Sequence, residues 1–337
     1  SHGNENVYNA IRDSCNYYFY TLALGKNQRT GESIGIKLDI EDITNMAKKF
    51  GLNDKTGIEI DVPAEAHGGV PDPSKKIAST KGILKRYLKE NINKYVKDGV
   101  KLDDKDLVGN EELLSRTEVI KRLDKMGIDP EKRLEGEREG LADKIKYTYL
   151  NQAGWNIADT LNITIGQGQN SYTPIQMANY IATLSNGGYL HKMSVVDSIK
   201  NYDNSAVEYK REDSGHKIKL NDYENLERVK YAMRKVAVEG TAKSIFSKFP
   251  VKVAAKTGTA QKSGINPVTL DTYDDYAWFV AFAPYDDPQI AISVVIFQGG
   301  SGGYAGPIAR DVIAEYLGLN EEEEQKEVLP IENELSR

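Results

Sequence analysis

Apolar residues recur at helical spacing through the segment VYNAIRDSCNYYFYTLALG, residues 7–25, but a polar break interrupts them near Ser14. A period of three to four residues is typical of a helix with one buried face. Asn4 or Asn6 could cap the first helix. The pattern therefore predicts two short helices that meet close to Ser14.

Further along the chain, four other segments have helical periodicity with start or stop signals. The first has Asp39 or Asp42 near its start and Gly51 as a plausible end. In another, Thr173 and Pro174 are suited to the cap and the first helical position. The four segments are residues 38–57, 173–188, 225–238 and 305–317.

Three late runs change to the short apolar pattern of β-strands: residues 251–260, 276–284 and 289–297. In the first run, alternation places Lys256 on the face opposite the apolar valines, and Gly258 follows on the side of Lys256. The C-terminal half therefore predicts a sheet.

Composition limits the class of protein. The 337 residues carry a net charge of −6, with 39% hydrophobic and 28% charged residues, which is an ordinary soluble balance. Nothing in this charge balance indicates a nucleic-acid partner. Charged residues concentrate in residues 74–146, which we interpret as a solvated helical insertion rather than core, and in the acidic tail 321–337.

The stretch KTGTA, Lys256 to Ala260, carries candidate chemistry. The Lys256 cation would attract a carboxylate, and Thr257 and Thr259 would donate hydrogen bonds to it. Gly258 would let an extended peptide lie beside the strand. The alternative is an exposed edge strand that a lysine protects against aggregation.

A second candidate is Ser14-Cys15-Asn16, at the predicted break. Ser14 and Asn16 could simply cap the two helices. In a functional interpretation, Ser14 relays a proton and the Asn16 amide holds a substrate carbonyl.

S-C-N followed by K-T-G-T-A resembles part of the motif set of serine β-lactamases and penicillin-binding proteins. With the motifs around them, the chain resembles class B (monofunctional) penicillin-binding transpeptidases. The further motifs are His2-Gly3, Thr56–Pro63, Asp159–Gly168, Thr173–Ala178, Asn186–Gly188 and Glu239–Ala242.

This resemblance implies an α/β (α+β) fold with a mainly antiparallel five-stranded sheet flanked by helices, similar to serine β-lactamases and D,D-peptidases. The transpeptidase domain would cover residues 1–320, interrupted by the insertion 74–146. The implied function is peptidoglycan D,D-transpeptidation through a serine acyl-enzyme, with β-lactams as inhibitors. Two alternatives stay open: a penicillin-binding sensor or scaffold without turnover, and a hydrolase of the D,D-carboxypeptidase or β-lactamase type.

The resemblance also implies roles for single residues. Ser14 would pass a proton, Asn16 would bind the peptide carbonyl, and Lys256 would support the electrostatics of the cleft. Thr257, Thr259 and the open backbone at Gly258 would bind the ligand and its terminal carboxylate. The N–H of Thr259 would be one oxyanion donor.

The family places its nucleophile in S-x-x-K, upstream of S-x-N. The only such match here is Ser214 to Lys217, in a polar segment without helical periodicity, and we reject it. We therefore expect the nucleophile on a segment that precedes Ser1, and this chain alone to be inactive. A membrane anchor upstream of this chain and an outward-facing domain are likewise implied.

No cofactor is required by the family. His2 and Cys15 could nevertheless contribute to a zinc site, although Cys15 could equally be a buried apolar side chain. The expected partners are the peptidoglycan stem peptide, β-lactams, the missing segment with the nucleophile, and cell-wall elongation or division proteins.

Overall fold

A computed structural model describes residue 3 and residues 5–60, 62–96, 113–212, 214–262, 264–265 and 270–319. His2, Asn4 and the predicted tail 321–337 lie outside the described residues. The chain divides into two compact units. The first comprises residues 1–70, 164–167 and 171–337, and the second comprises residues 71–163 and 168–170.

Three helices of the first unit begin where side chains satisfy free N–H groups of the first turn. Asn6 caps the first helix, Asp39 and Asp42 form a capping box on the third, and Thr173 forms one with Gln176. These helices are α1 (Val7–Arg12), α2 (Asn16–Leu24), α3 (Ile40–Lys49), α9 (Pro174–Ser185), α10 (Glu224–Val238), α11 (Lys243–Phe246) and α12 (Gly306–Tyr316). A 3₁₀-helix, Gly302–Ala305, precedes α12.

An antiparallel sheet occupies the C-terminal part of this unit. Its strands are β5 (Ala254–Ala260), β6 (Tyr276–Ala283) and β7 (Ile290–Ile296), in the order β5-β6-β7. The four shorter strands are β1 (Tyr189–Leu190), β2 (Ser198–Lys200), β3 (Val207–Lys210) and β4 (His216–Lys217). They pair as β1-β4 and β2-β3, so in the described residues the sheet has three strands rather than the five expected.

Hydrophobic cores cover both faces of the sheet. Along β6, Phe279 faces one core with α11 and α12, whereas Phe282 faces the other with α9 and α10. On β5, Ala254 and Ala255 belong to opposite cores and both are fully buried. The alternation predicted for this run holds at these two residues, and helices cover both sides of the strand there. The open part of β5 begins at Lys256.

The second unit is helical and has its own core. Its helices are α4 (Pro73–Tyr95), α5 (Arg116–Lys125), α6 (Leu141–Asp143), a π-helix (Lys144–Leu150), α7 (Asn151–Ala153) and α8 (Ile157–Thr164). Leu84, Leu88 and Leu123 are among its buried apolar side chains. The sequence predicted a solvated helical insertion over residues 74–146, and the helices of this unit enclose a core of their own because apolar residues recur at helical spacing between the charges.

Candidate active site

Ser14 lies in the turn between α1 and α2, in a conformation that few side chains adopt. Its φ is +54°, in the left-handed region that costs a non-glycine residue about 1–3 kcal/mol. The N–H of Cys15 donates to the carbonyl of Ala10 at 2.9 Å and ties the turn to the preceding helix. Asn16 is the first residue of α2. The turn thus holds Ser14 and Asn16 at the junction of two helices.

Lys256 contacts Ser14 across 242 positions of sequence. Its Nζ donates to Ser14 Oγ at 3.0 Å and to the carbonyl of Thr257 at 2.8 Å. Burial lowers the pKa of Lys256 from 10.5 to about 8, because the ammonium form loses hydration. The amine can therefore exchange a proton under mildly alkaline conditions.

Two threonine hydroxyls of β5 are oriented by neighbours. Thr257 Oγ1 and Thr241 Oγ1 are 2.9 Å apart and share a hydrogen bond. The N–H of Gly302 donates to Thr259 Oγ1 at 3.1 Å. Since that oxygen is the acceptor, the proton of the Thr259 hydroxyl remains free to be donated to a ligand.

Gly302 packs directly onto the backbone of β5. A Cβ on Gly302 would lie 2.2 Å from the carbonyl oxygen of Gly258 and 2.7 Å from its nitrogen. No side chain fits between these atoms. Glycine at 302 is therefore required for the contact that positions the Thr259 hydroxyl.

All these groups line one cleft of about 560 Å³. The sequence-predicted residues that line it are Ser14, Asn16, Lys256, Thr257, Gly258 and Thr259. A half-buried cation, hydroxyl donors and an open strand edge in one cleft are suited to an extended ligand that carries a carboxylate.

The predicted metal ligands are not brought together in what the structure describes. Cys15 is 6% exposed, and His2 lies outside the described residues. Among the described residues, no group of three or more His, Cys, Asp and Glu side chains could hold a metal ion. The described residues around Cys15 do not fit a zinc site, and we derive no chemistry from one.

A family model described as "Penicillin binding protein transpeptidase domain" matches residues 116–314, more than half of the chain. The chain belongs to this family. Both the family and its α/β fold are confirmed as predicted from the motifs. The match begins inside the charged segment, so part of that segment is shared with the transpeptidase family.

Curated relatives of this chain are penicillin-binding proteins and peptidoglycan D,D-transpeptidases. Penicillin-binding protein 2A of Bacillus subtilis is 32% identical over 180 residues, which cover 49% of this chain and 25% of that protein. Peptidoglycan D,D-transpeptidase MrdA of Acinetobacter baumannii is 26% identical over 325 residues, covering 94% of this chain and 35% of the relative. The chain thus spans about a quarter to a third of the length of these relatives.

Solved penicillin-binding proteins share the fold. PBP2 of Pseudomonas aeruginosa, in complex with WCK 5153, matches with a TM-score of 0.57 and 23% identity, over 93% of this chain and 47% of that chain. PBP2 of Helicobacter pylori matches with a TM-score of 0.55 and 21% identity, over 94% and 41%. Among the described residues of this chain, no helix combines the length and the apolar character needed to cross a bilayer.

Gln167, Thr241 and Gly302 are among the cleft residues that were not singled out from the sequence. Thr241 belongs to the EGTA motif, in which Glu239 pairs with Lys235. Gln167 belongs to the GQG turn. Both motifs are visible in the sequence. The roles of these residues nevertheless depend on contacts with β5, which lies far from them in the sequence.

Proposed function

We propose that this chain supplies much of the active site of a peptidoglycan D,D-transpeptidase, which forms a serine acyl-enzyme with stem peptides ending in D-Ala-D-Ala. Family membership supports the reaction class. The observation that carries the assignment is the 3.0 Å contact between Lys256 Nζ and Ser14 Oγ, which joins the two motifs in one cleft.

Ser14 and Lys256 form the proton-transfer pair in this proposal. With Lys256 charged, its ammonium donates to Ser14 Oγ, so the Ser14 proton points away from it and can be passed to a leaving amine. Loss of a proton from Lys256 reverses the direction of donation. A pKa of about 8 allows both states near the working pH.

In this proposal, residues of β5 and α2 bind the ligand. The hydroxyls of Thr257 and Thr259 bind the terminal carboxylate, and the Asn16 amide binds the peptide carbonyl. The backbone N–H of Thr259 is one donor of the oxyanion hole. A second donor comes from the nucleophile's own residue, and removing one such donor typically costs about 10²–10³ in rate.

The nucleophile itself lies on a segment outside this sequence. Ser214 to Lys217 is unsuited to the role, because Lys217 lies in strand β4, whereas S-x-x-K needs a helix to bring its two side chains together. We infer that this chain alone does not acylate. We also infer that the intact protein is anchored in the cell membrane with this domain facing outward.

A complex of one structural neighbour supports a proposal about protein partners. PBP2 of Helicobacter pylori has been solved in a complex with MreC, and that chain matches with a TM-score of 0.54. We infer that the intact protein also binds a partner in cell-wall synthesis, and that β-lactams bind its cleft.

Labelling of the intact protein with a fluorescent penicillin tests the function. We expect a covalent adduct on the intact protein, none on the present chain, and labelling at least about 100-fold slower in Ser14→Ala. Ser244→Ala, on the exposed surface of α11, is the matched control and should label normally. Absence of an adduct on the intact protein would refute the acyl-enzyme.

A second assay separates the alternatives. Purified stem peptides should be cross-linked to an acceptor amine by the intact protein. An adduct with hydrolysis but no cross-linking would identify a carboxypeptidase or β-lactamase. An adduct with neither reaction would identify a sensor.

A further inference from the structure

One edge of β5 is not paired with another strand in the described residues, since β5 is the first strand in the order β5-β6-β7. In an antiparallel pair, residues that do not bond to the partner strand direct their N–H and C=O groups to the other edge. The Thr259 carbonyl and the Gln261 N–H both bond away from β6. By the same alternation, the N–H of Thr259 also points to this free edge.

The side chain of Gln167 bonds to this edge with both ends of its amide. Its Nε2 donates to the carbonyl of Thr259 at 2.9 Å, and its Oε1 accepts from the N–H of Gln261 at 3.1 Å. A strand paired to β5 would bond to the same donor and acceptor with a C=O and an N–H of its own backbone. The amide of Gln167 therefore takes the place of these two backbone groups.

The GQG turn is built to present this side chain. Gly166 and Gly168 have φ values of +79° and +74°, a conformation that other residues adopt only with strain. A glycine on each side lets the chain reverse sharply around Gln167. The turn thus delivers one amide to a strand that lies 92 positions later in the sequence.

We propose that Gln167 is a specificity-determining residue that ends the peptide-binding edge of β5. A ligand residue that pairs only with the N–H and C=O of Thr259 can share the Thr259 carbonyl with Gln167, because a carbonyl oxygen can accept two hydrogen bonds, and it leaves the bond from Gln261 to Gln167 in place. A longer peptide, whose carbonyl reaches the Gln261 N–H, must displace the Gln167 amide because that N–H can donate to only one acceptor at full strength. Gln167 thereby disfavours peptides that extend further along β5. This inference rests on the proposed function of the cleft.

Hydrogen exchange on the present chain tests the contact without any ligand. The backbone amide of Gln261 should be protected in the wild type and should exchange about 5- to 10-fold faster in Gln167→Ala, the effect of one net hydrogen bond. Gln169→Ala is the matched control, since Gln169 is in the same turn and its side chain is exposed. An unprotected Gln261 amide in the wild type would overturn the proposal.

Ligand length provides the functional test. NMR titration of the present chain would compare acetyl-D-Ala-D-Ala with a longer acetylated peptide that ends in the same dipeptide. We expect the affinity for the longer peptide, relative to the shorter, to rise about 5- to 10-fold in Gln167→Ala and to stay unchanged in Gln169→Ala.

The other outcomes are distinct. If Gln167→Ala lowers Tm but leaves the ratio of affinities unchanged, Gln167 is only a structural link and the proposal fails. If neither peptide binds to any variant, the carboxylate-binding role of the cleft fails and the proposed competition fails with it. In that case, protection of the Gln261 amide would show only that Gln167 links its turn to β5.

Discussion

Replacing Gly302 by alanine tests whether the backbone contact with β5 holds the cleft together. The new Cβ would lie 2.2 Å from the oxygen of Gly258, 2.7 Å from its nitrogen and 2.8 Å from its carbonyl carbon. All three atoms belong to a paired strand, so the loop must move instead. Overpacking costs about 1–3 kcal/mol, and loss of the bond from Gly302 to Thr259 costs about 1 kcal/mol more. We expect the free energy of unfolding to fall by about 2–4 kcal/mol.

Urea denaturation of the two adjacent alanine variants measures this cost. In Gly303→Ala, the nearest atom to the new Cβ is Ser301 Oγ at 4.0 Å, so the substitution should change the free energy of unfolding by less than about 0.5 kcal/mol. Equal losses of unfolding free energy in Gly302→Ala and Gly303→Ala would refute the argument. They would show that the contact of Gly302 with β5 makes no difference to the cost of a side chain in this loop. A loss below about 0.5 kcal/mol in Gly302→Ala would refute it as well.

Two further predictions concern buried charges. Between pH 8 and 10.5 the unfolded chain binds a proton at Lys256 that the native chain does not, so the free energy of unfolding should rise with pH in that window relative to Lys256→Met. The expected rise is on the order of 2–3 kcal/mol, measured by urea titration at several pH values, and parallel curves for the two proteins would contradict it. Lys76 is buried and its Nζ lies 2.7 Å from Asp159, so Asp159→Ala should destabilise the second unit by about 3 kcal/mol in thermal or urea unfolding. The exposed pair of Lys252 and Asp286 is the control, and Asp286→Ala should cost no more than about 1 kcal/mol; similar losses in both variants would contradict the role of burial.

Local signals in the sequence predicted the elements well. Asn6, Asp39 and Thr173 each mark a helix start because their side chains can satisfy free N–H groups only there. The break at Ser14 and the strand through Lys256 were also evident from periodicity. The residues proposed for the site therefore lie on the elements that were expected, and they line one cleft.

Features that depend on distant contacts were not predictable in this way. The charged composition of the second unit gave no indication of its core, because charged residues outnumber the apolar residues, such as Leu84, that form this core. Alternation along β5 did not reveal that helices cover both faces at Ala254. The roles of Gln167 and Gly302 depend on the β5 backbone, which no local pattern places beside them.

The contact between Gly302 and Gly258 also limits how this cleft can change by mutation. The groups proposed to recognise the ligand include the N–H of Thr259, which every residue except proline would retain at that position. Substitution of the side chain at position 259 therefore leaves this donor in place. We expect variants that discriminate between a β-lactam and a stem peptide to arise at side chains on the cleft wall, such as Phe19 and Ile165, where shape can change while the strand stays intact.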